Sequence, residues 1–466
     1  MMNRLRLIAS SLLALSLAAC SSSSSGNGTS SGGAAGQPGP GNESGAAEGS
    51  KFFLPTGANV DNTSAPTLEV DAQGNTHAIY PAYAGGGAYY AFCGAGCNGP
   101  KTTKVVRFDT DGTVANAMIA LDGSGHPRVL LSSFSKVYFA SCEDACGEQG
   151  SWKVGAILEH GGDREVSGEA LALDPKGHPR FLFHTYRAYL GIGQKTPETL
   201  YATCDADCTS AAAWKTAVVG TDIWEGTHLR FDSKGAAHAA TVLPVGDDKK
   251  PMAAYMECTA DCGKEDSWKG IGLGEVFTSE YEAVGIKPTV SLALTKAGAP
   301  RIAFIGKKDD GKKAVIYQGC DTDCSADHWK GTMLTDSDKI SAGVDLALDA
   351  NDFPRIVFAL NYNIGLSSCQ DAHCENGETK WEVLKVESGD ELPADQIFLE
   401  TNCTVGAWFF HSPSIALTAD GHPRVGYQAR DISGGVTKPE PNKPGCTAGT
   451  DMTWSRVAFL GSARGS

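Results

Sequence analysis

Apolar residues along this chain fall in short runs rich in Val, Ile, Leu, Phe and Tyr, broken by Gly, Pro and Asp, and no long stretch repeats with a helical period. Runs of this kind read as β-strands. Laid against itself, the chain shows one pattern returning at a mean period of about 58 residues, and such a period takes precedence over local readings. The clearest copy opens at Leu171-Ala-Leu-Asp174, passes through Pro-Lys-Gly177-His-Pro-Arg180 into Phe181-Leu-Phe183, and continues after a loop as Leu200-Tyr-Ala-Thr-Cys204-Asp-Ala-Asp-Cys208 before Trp214 opens a last strand. Other copies centre on Gly74, Gly125, Gly235, Gly298, Asp352 and Gly421, which makes seven. Each copy holds four apolar runs, A to D, with a hairpin turn between A and B where Gly supplies positive φ. One four-stranded meander cannot bury both of its faces, whereas a ring of them can, so the expected fold is all-β, a seven-bladed β-propeller of four-stranded antiparallel blades. A unit of this length is too short for a β-sandwich.

The N-terminus departs from the pattern. Arg4 and Arg6 precede an apolar run from Leu7 to Ala19, too short to span a bilayer and ending in small residues, which reads as a secretory signal over residues 1–19. Leu17-Ala18-Ala19-Cys20 resembles the lipobox of bacterial lipoproteins, which implies cleavage before Cys20 and lipidation of its thiol. Ser21 in place of Asp then leans towards the outer membrane. Residues 20–50 are almost all Ser, Gly, Ala, Asn and Pro and are expected to form a tether, leaving 51–466 for the propeller. The net charge of −15 argues against nucleic acid or anionic lipid as a general partner. The expectation is a monomer in the bacterial cell envelope, touching the membrane through its N-terminal lipid only.

The repeat resembles the BNR-like and sialidase-like propellers of secreted bacterial proteins, whose units also run strand, Asp-x-x-Gly turn, two strands and a Trp-led strand. The likeness covers Pro66 to Leu460. It departs from the sialidase Asp-box, Ser-x-Asp-x-Gly-x-x-Trp, because the Trp here lies far beyond the turn, and Phe353-Pro-Arg-Ile356 is only superficially like Phe-Arg-Ile-Pro. The resemblance implies fold much more than chemistry.

Three residue types recur at fixed places. Close cysteine pairs stand between strands C and D: Cys93 with Cys97, Cys142 with Cys146, Cys204 with Cys208, Cys258 with Cys262, Cys320 with Cys324, and Cys369 with Cys374. In an exported protein these are expected disulfides, and Cys446 of the last copy is expected to pair with Cys403. Zinc would need four ligands at one point, which pairs on separate blades do not offer; no metal and no cofactor is expected, with calcium on the Asp residues between Cys204 and Cys208 and between Cys320 and Cys324 left as the open alternative. Trp152, Trp214, Trp268, Trp329 and Trp381 open strand D and, with Trp454 in the last copy, are expected to pack between blades. His77, Arg128, Arg180, His238, Arg301, Arg355 and Arg424 follow each turn. They form either an anion-binding ring or, as the preferred reading, pairs with Asp71, Asp122, Asp174, Asp232 and Asp349 across the hairpin.

Ligand contacts are expected on the variable B to C and D to A loops, with Tyr186, Arg187, Tyr189, Trp224, Glu225, Tyr281, Glu282, Trp408, Phe409 and His411 as the candidate face. Over residues 51–466 no Gly-x-Ser-x-Gly, His-Glu-x-x-His or phosphate-cradling loop occurs, and no catalytic residue stands out. The favoured expectation is therefore a non-catalytic binding module for a glycan, peptide or protein; a sialidase-like glycan hydrolase or lyase is the alternative and a structural envelope component the third reading. An enzyme should bring acidic residues together with Arg or Tyr at the axis, and a binder should show aromatics with no convergent acid and base. The cysteine pairing makes its own prediction: the protein denatured without reductant labels with no thiol reagent, whereas several reactive sulfhydryls would end the disulfide account.

Overall fold

The computed structural model describes residues 43–44, 49–57, 62–82, 86–159, 164–185, 196–246, 250–277, 289–371, 373–377, 379–392, 408–431 and 452–461. These residues form antiparallel sheets linked by loops and single 3₁₀ turns, with no α-helix among them. The chain winds as successive meanders, in the manner of a β-propeller. In one, Glu225–Phe231, Ala237–Val245, Lys250–Cys258 and Lys269–Glu275 pair in chain order. The 18-residue strand Lys104–Leu121 ends one meander and begins the next, which fuses those two into a single sheet.

The first strands of the meanders are Thr67–Val70, the second half of Lys104–Leu121, Leu171–Leu173, Glu225–Phe231, Val290–Leu294, Ile340–Leu348 and Trp408–Leu417. They lie side by side in that order, and the last returns against the first. Neighbouring strands are too splayed to pair as a sheet, yet a belt of hydrogen bonds, most of them through side chains, joins each to the next. Thr67 Oγ1 donates to the Ala117 carbonyl (3.0 Å), and Asn116 Nδ2 to those of Val166 and Gly168 (3.2 and 2.8 Å). Gly226 N donates to Ser167 Oγ (2.8 Å), and Leu292 N to His228 Nδ1 (3.4 Å). Leu346 N donates to Ser291 Oγ (3.0 Å), Ile415 N to Asp345 Oδ2 (2.8 Å), and Ser414 Oγ to the Pro66 carbonyl (2.8 Å).

Away from the axis, one device ties turn to loop in each meander. The turn Asp accepts two backbone N–H groups, as Asp174 Oδ1 does from Lys176 and His178 (2.9 and 3.0 Å), while the next Gly takes positive φ. The residue after the turn reaches back: Arg128, Arg180 and Arg355 pair with Asp122, Asp174 and Asp349 at 2.7–2.8 Å, His77 with Asp71 at 3.3 Å and His238 with Asp232 at 3.9 Å. Where Thr replaces the Asp, Arg301 takes Asp321 instead (2.7 Å) and Arg424 lies over the Phe459 ring (4.7 Å). The guanidiniums of Arg128, Arg180, Arg301 and Arg355 also donate to the first cysteine's carbonyl, as Arg180 does to Cys204 (2.6 Å). The basic groups therefore sit in five hairpin pairs and two substitutes rather than in one anion ring.

The six close cysteine pairs are joined, with Cα atoms 5.3–6.1 Å apart. Asp207, Asp261 and Asp323, just before the second cysteine, have positive φ. Their place in the loop thus follows from Asp's tolerance of the left-handed region. Each Trp that follows donates its indole N–H to the second cysteine's carbonyl and packs on the preceding meander: Trp152 on Tyr90, Trp214 on Phe139, Trp268 on Tyr201, Trp329 on Tyr255 and Trp381 on Tyr317. Trp454 breaks this rule. It stands in the third strand of the last meander, Met452–Leu460, whose outer neighbour is the N-terminal strand Gly49–Phe53. Gly49 and Ser50, expected in the tether, thus join residues 51–53 in completing the last blade, because a sheet edge pairs through backbone groups and Phe52 and Phe53 fill the core there. Glu43–Ser44 pairs in parallel with Glu382–Ser388 as well. Cys20, Cys403 and Cys446 lie outside the described residues.

The closing strand rests on a buried ion pair. Arg456 holds Glu387 of the neighbouring meander with two bonds (2.6 and 2.7 Å), Tyr427 donates to the same carboxylate, and the guanidinium lies 4.8 Å from the Phe53 ring centre. Arg456→Met should strand a buried carboxylate and lower stability by about 3–5 kcal/mol in urea unfolding. Adding Glu387→Leu should recover much of that; a double mutant no better than the single would contradict the assignment.

Candidate functional site at the propeller axis

Two residues before each turn, the first strands carry Glu69, Ala120, Ala172, Arg230, Ala293, Ala347 and Ala416. Strands converging on an axis leave room for small side chains, which accounts for five alanines. Glu69 and Arg230 depart from that rule. They project into an axial cavity of about 390 Å³, within the size range of small-molecule sites, that reaches the ends of the strands leading into the turns. Glu169, in the segment before Leu171–Leu173, joins them. Arg230 Nη2 lies 3.0 Å from Glu169 Oε2, and His228 Nδ1 lies 3.9 Å from the same oxygen. Asp345 closes the group from the belt, where Oδ1 accepts from Ser291 Oγ (2.7 Å) and Leu346 N (2.8 Å).

Burial and like charge set the electrostatics of this cluster. Desolvation pushes the Glu69 carboxyl up to about 7, with repulsion from Glu169 adding and attraction from Arg230 opposing. Asp345 rises well above the usual carboxylate range for the same first cause, then through Glu169; its hydrogen bonds offset only part. Desolvation works against the Arg230 guanidinium, but Glu169, Glu69 and Asp345 overcome it and raise its pKa. The site thus combines an acid that titrates near neutrality with a carboxylate held against a fixed cation. A carboxyl titrating near neutrality beside a second carboxyl is an arrangement proton-transfer chemistry can use. Glu169, His228 and Asp345 offer ligand atoms within 4.8 Å of one another. A cation there would have to compete with the belt bonds that already occupy Asp345.

The loop residues expected to face a ligand fare differently. Trp224 is buried against Trp268 (5.5 Å), and Trp408 against Phe53 and Trp454 (5.9 and 5.7 Å), so both pack between strands. Glu225 is buried at the start of its strand. Phe409 stands between Tyr362 and His411 (5.5 and 5.1 Å), at the end of Trp408–Leu417 away from the cavity. Tyr186, Arg187, Tyr189, Tyr281 and Glu282 lie outside the described residues. None of the placed candidates reaches the axial cluster, and Glu69, Glu169, Arg230, His228 and Asp345 were not singled out from sequence. The signal lay in the exceptions to the alanine position.

No protein-family model and no curated protein matches the chain. Among solved structures it is similar to polysaccharide lyase Uly1 (TM-score 0.45, 9% identity, 88% of this chain and 92% of that one). It is similar also to the Fusarium graminearum α-L-arabinofuranosidase Arb93A (TM-score 0.43, 11% identity, 75% and 99%) and to the NanB sialidase of Streptococcus pneumoniae (TM-score 0.44, 9% identity, 88% and 70%). At this distance the likeness describes the fold. The expectation of a non-catalytic binding module is nonetheless corrected on the site itself: the axis holds the convergent acids and arginine that a binder should lack.

Because Glu69 is neutral more readily when folded than unfolded, its contribution to stability is full below about 4.5 and is lost as pH rises through about 7. Glu69→Gln should therefore raise the melting temperature at pH 8 and do little at pH 4; a pH-independent difference would contradict the shift.

Proposed function

We propose that this chain is a glycan-cleaving enzyme, a hydrolase or lyase, built on a seven-bladed β-propeller closed by its N-terminal strand. The observation that carries the reading is the pairing of a near-neutral Glu69 with Glu169 and Arg230 in one axial cavity. Cleavage of a glycosidic bond by either route needs a group that gives a proton to the leaving oxygen and a second that takes one or offsets developing positive charge. Glu69 fits the first role and Glu169 the second, with Arg230 Nη2 3.0 Å from the Glu169 carboxylate. His228 and Asp345 act as positioning residues through the belt.

The six disulfides support export, and no helix of the described residues is long and apolar enough to cross a membrane. We place the enzyme in the bacterial envelope, held by a lipid on Cys20 and a short tether, as a monomer. The test is incubation with a panel of plant, algal and animal polysaccharides, reading new reducing ends for both routes and the ultraviolet absorbance of unsaturated ends for the lyase. Turnover by the native protein should fall about 10²–10⁴-fold in Glu69→Gln. No turnover across the panel, or an unimpaired Glu69→Gln, would defeat the proposal.

A further inference from the structure

A second cavity, of about 550 Å³, lies between the third and fourth meanders on the turn side of the molecule, and Phe231 lines both it and the axial cavity. Its floor includes the buried Tyr201 and its walls include Lys176, Arg180, Lys234 and Lys264, opposed by Asp174 and Asp261. Lys176 and Lys234 occupy the same place in successive turns, where the other copies have Gln73, Ser124, Ala297, Asn351 and Asp420. The positive charge is therefore a departure from the repeat confined to one groove.

These two lysines are mounted rigidly, since the backbone N–H of each donates to its turn Asp at 2.9 Å. Their ammonium groups have no carboxylate partner among the described residues. Lys264 pairs with Asp261 at 2.8 Å, but both are exposed, and such a pair is given up at little cost. Arg180 is already committed to Asp174 and Asp205. The chain is acidic overall, at −15, yet screening over about 8 Å at physiological salt makes the nearby cations dominate inside the groove.

We infer that this groove binds the anionic units of a carboxylated or sulfated polysaccharide whose neighbouring unit occupies the axial cavity, so that the substrate is an acidic glycan. This rests on the glycan-cleaving reading of the axis. The half-buried Phe231 offers apolar surface for a sugar ring, and Lys176 and Lys234 offer point charges for carboxylate or sulfate, for which ammonium groups suffice without the geometry of a guanidinium fork.

The test measures binding of polygalacturonate, dextran sulfate and uncharged dextran to the full-length protein, to Glu69→Gln, and to the double variant Lys176→Ala/Lys234→Ala. At low salt, one or both polyanions should bind, the preferred one showing whether carboxylate or sulfate is recognised, and added salt should weaken the complex. The double variant should lose about tenfold in affinity with an unchanged melting temperature, and Lys176→Arg/Lys234→Arg should restore it. Glu69→Gln should still prefer the polyanions to dextran, and should still lose affinity when combined with Lys176→Ala/Lys234→Ala, even where it no longer turns substrate over, which separates the groove from the chemistry at the axis. Dextran bound as tightly as the polyanions, or a double variant that binds them unchanged, would overturn the inference.

Discussion

The hydrogen-bonded belt around the axis is the constraint on which the rest depends. Each first strand lies beside two others without forming a continuous sheet with them, so their buried polar groups need partners from elsewhere. Thr67, Asn116, Ser167, His228, Ser291, Asp345 and Ser414 supply those partners, each bridging to a strand of the adjoining meander. Seven side chains of five kinds meet one requirement. That variety is what allows the ring to carry ionisable groups, since a His or an Asp in this layer serves as well as a Ser.

The architecture was legible in the sequence because repetition multiplies weak signals. One Asp-x-x-Gly turn says little, whereas the same turn followed by Arg, a cysteine pair and Trp defines a unit. The Arg-to-carbonyl bond, the disulfide and the Trp N–H bond all converge on the C to D loop, so the three motifs are parts of one fastening. The closing strand was not legible. Gly49–Phe53 pairs with Met452–Leu460 across nearly the whole chain, and a strand beside a Ser- and Gly-rich tract has no repeat to mark it.

The axial site escaped notice for a related reason. Glu69, Glu169 and Arg230 come from three meanders, and each alone looks like an unremarkable charge near a strand. Only the structure shows that the position two before the turn points at the axis, and only then do Glu69 and Arg230 stand out among alanines. The expected face went the other way. Trp224 and Trp408 stand at strand starts, where apolar rings are drawn into the layer between blades by the area they bury.

Placing chemistry on first strands rather than on loops has a consequence for how the site works. Loop residues reposition when a ligand arrives, but Glu69 and Arg230 sit on strands that the belt fixes on both sides, so their placement is set by the fold itself. Such preorganisation favours a reaction whose charge develops at a defined point. It also makes the electrostatics costly, because Glu69, Glu169 and Asp345 repel one another in a partly desolvated cavity with Arg230 as their cation. The fold bears that cost through fastenings placed elsewhere: disulfides at the rim, indoles between blades and the Arg456–Glu387 pair at the seam. A ring held so firmly at its edge can keep at its centre a carboxyl whose pKa burial raises to about 7.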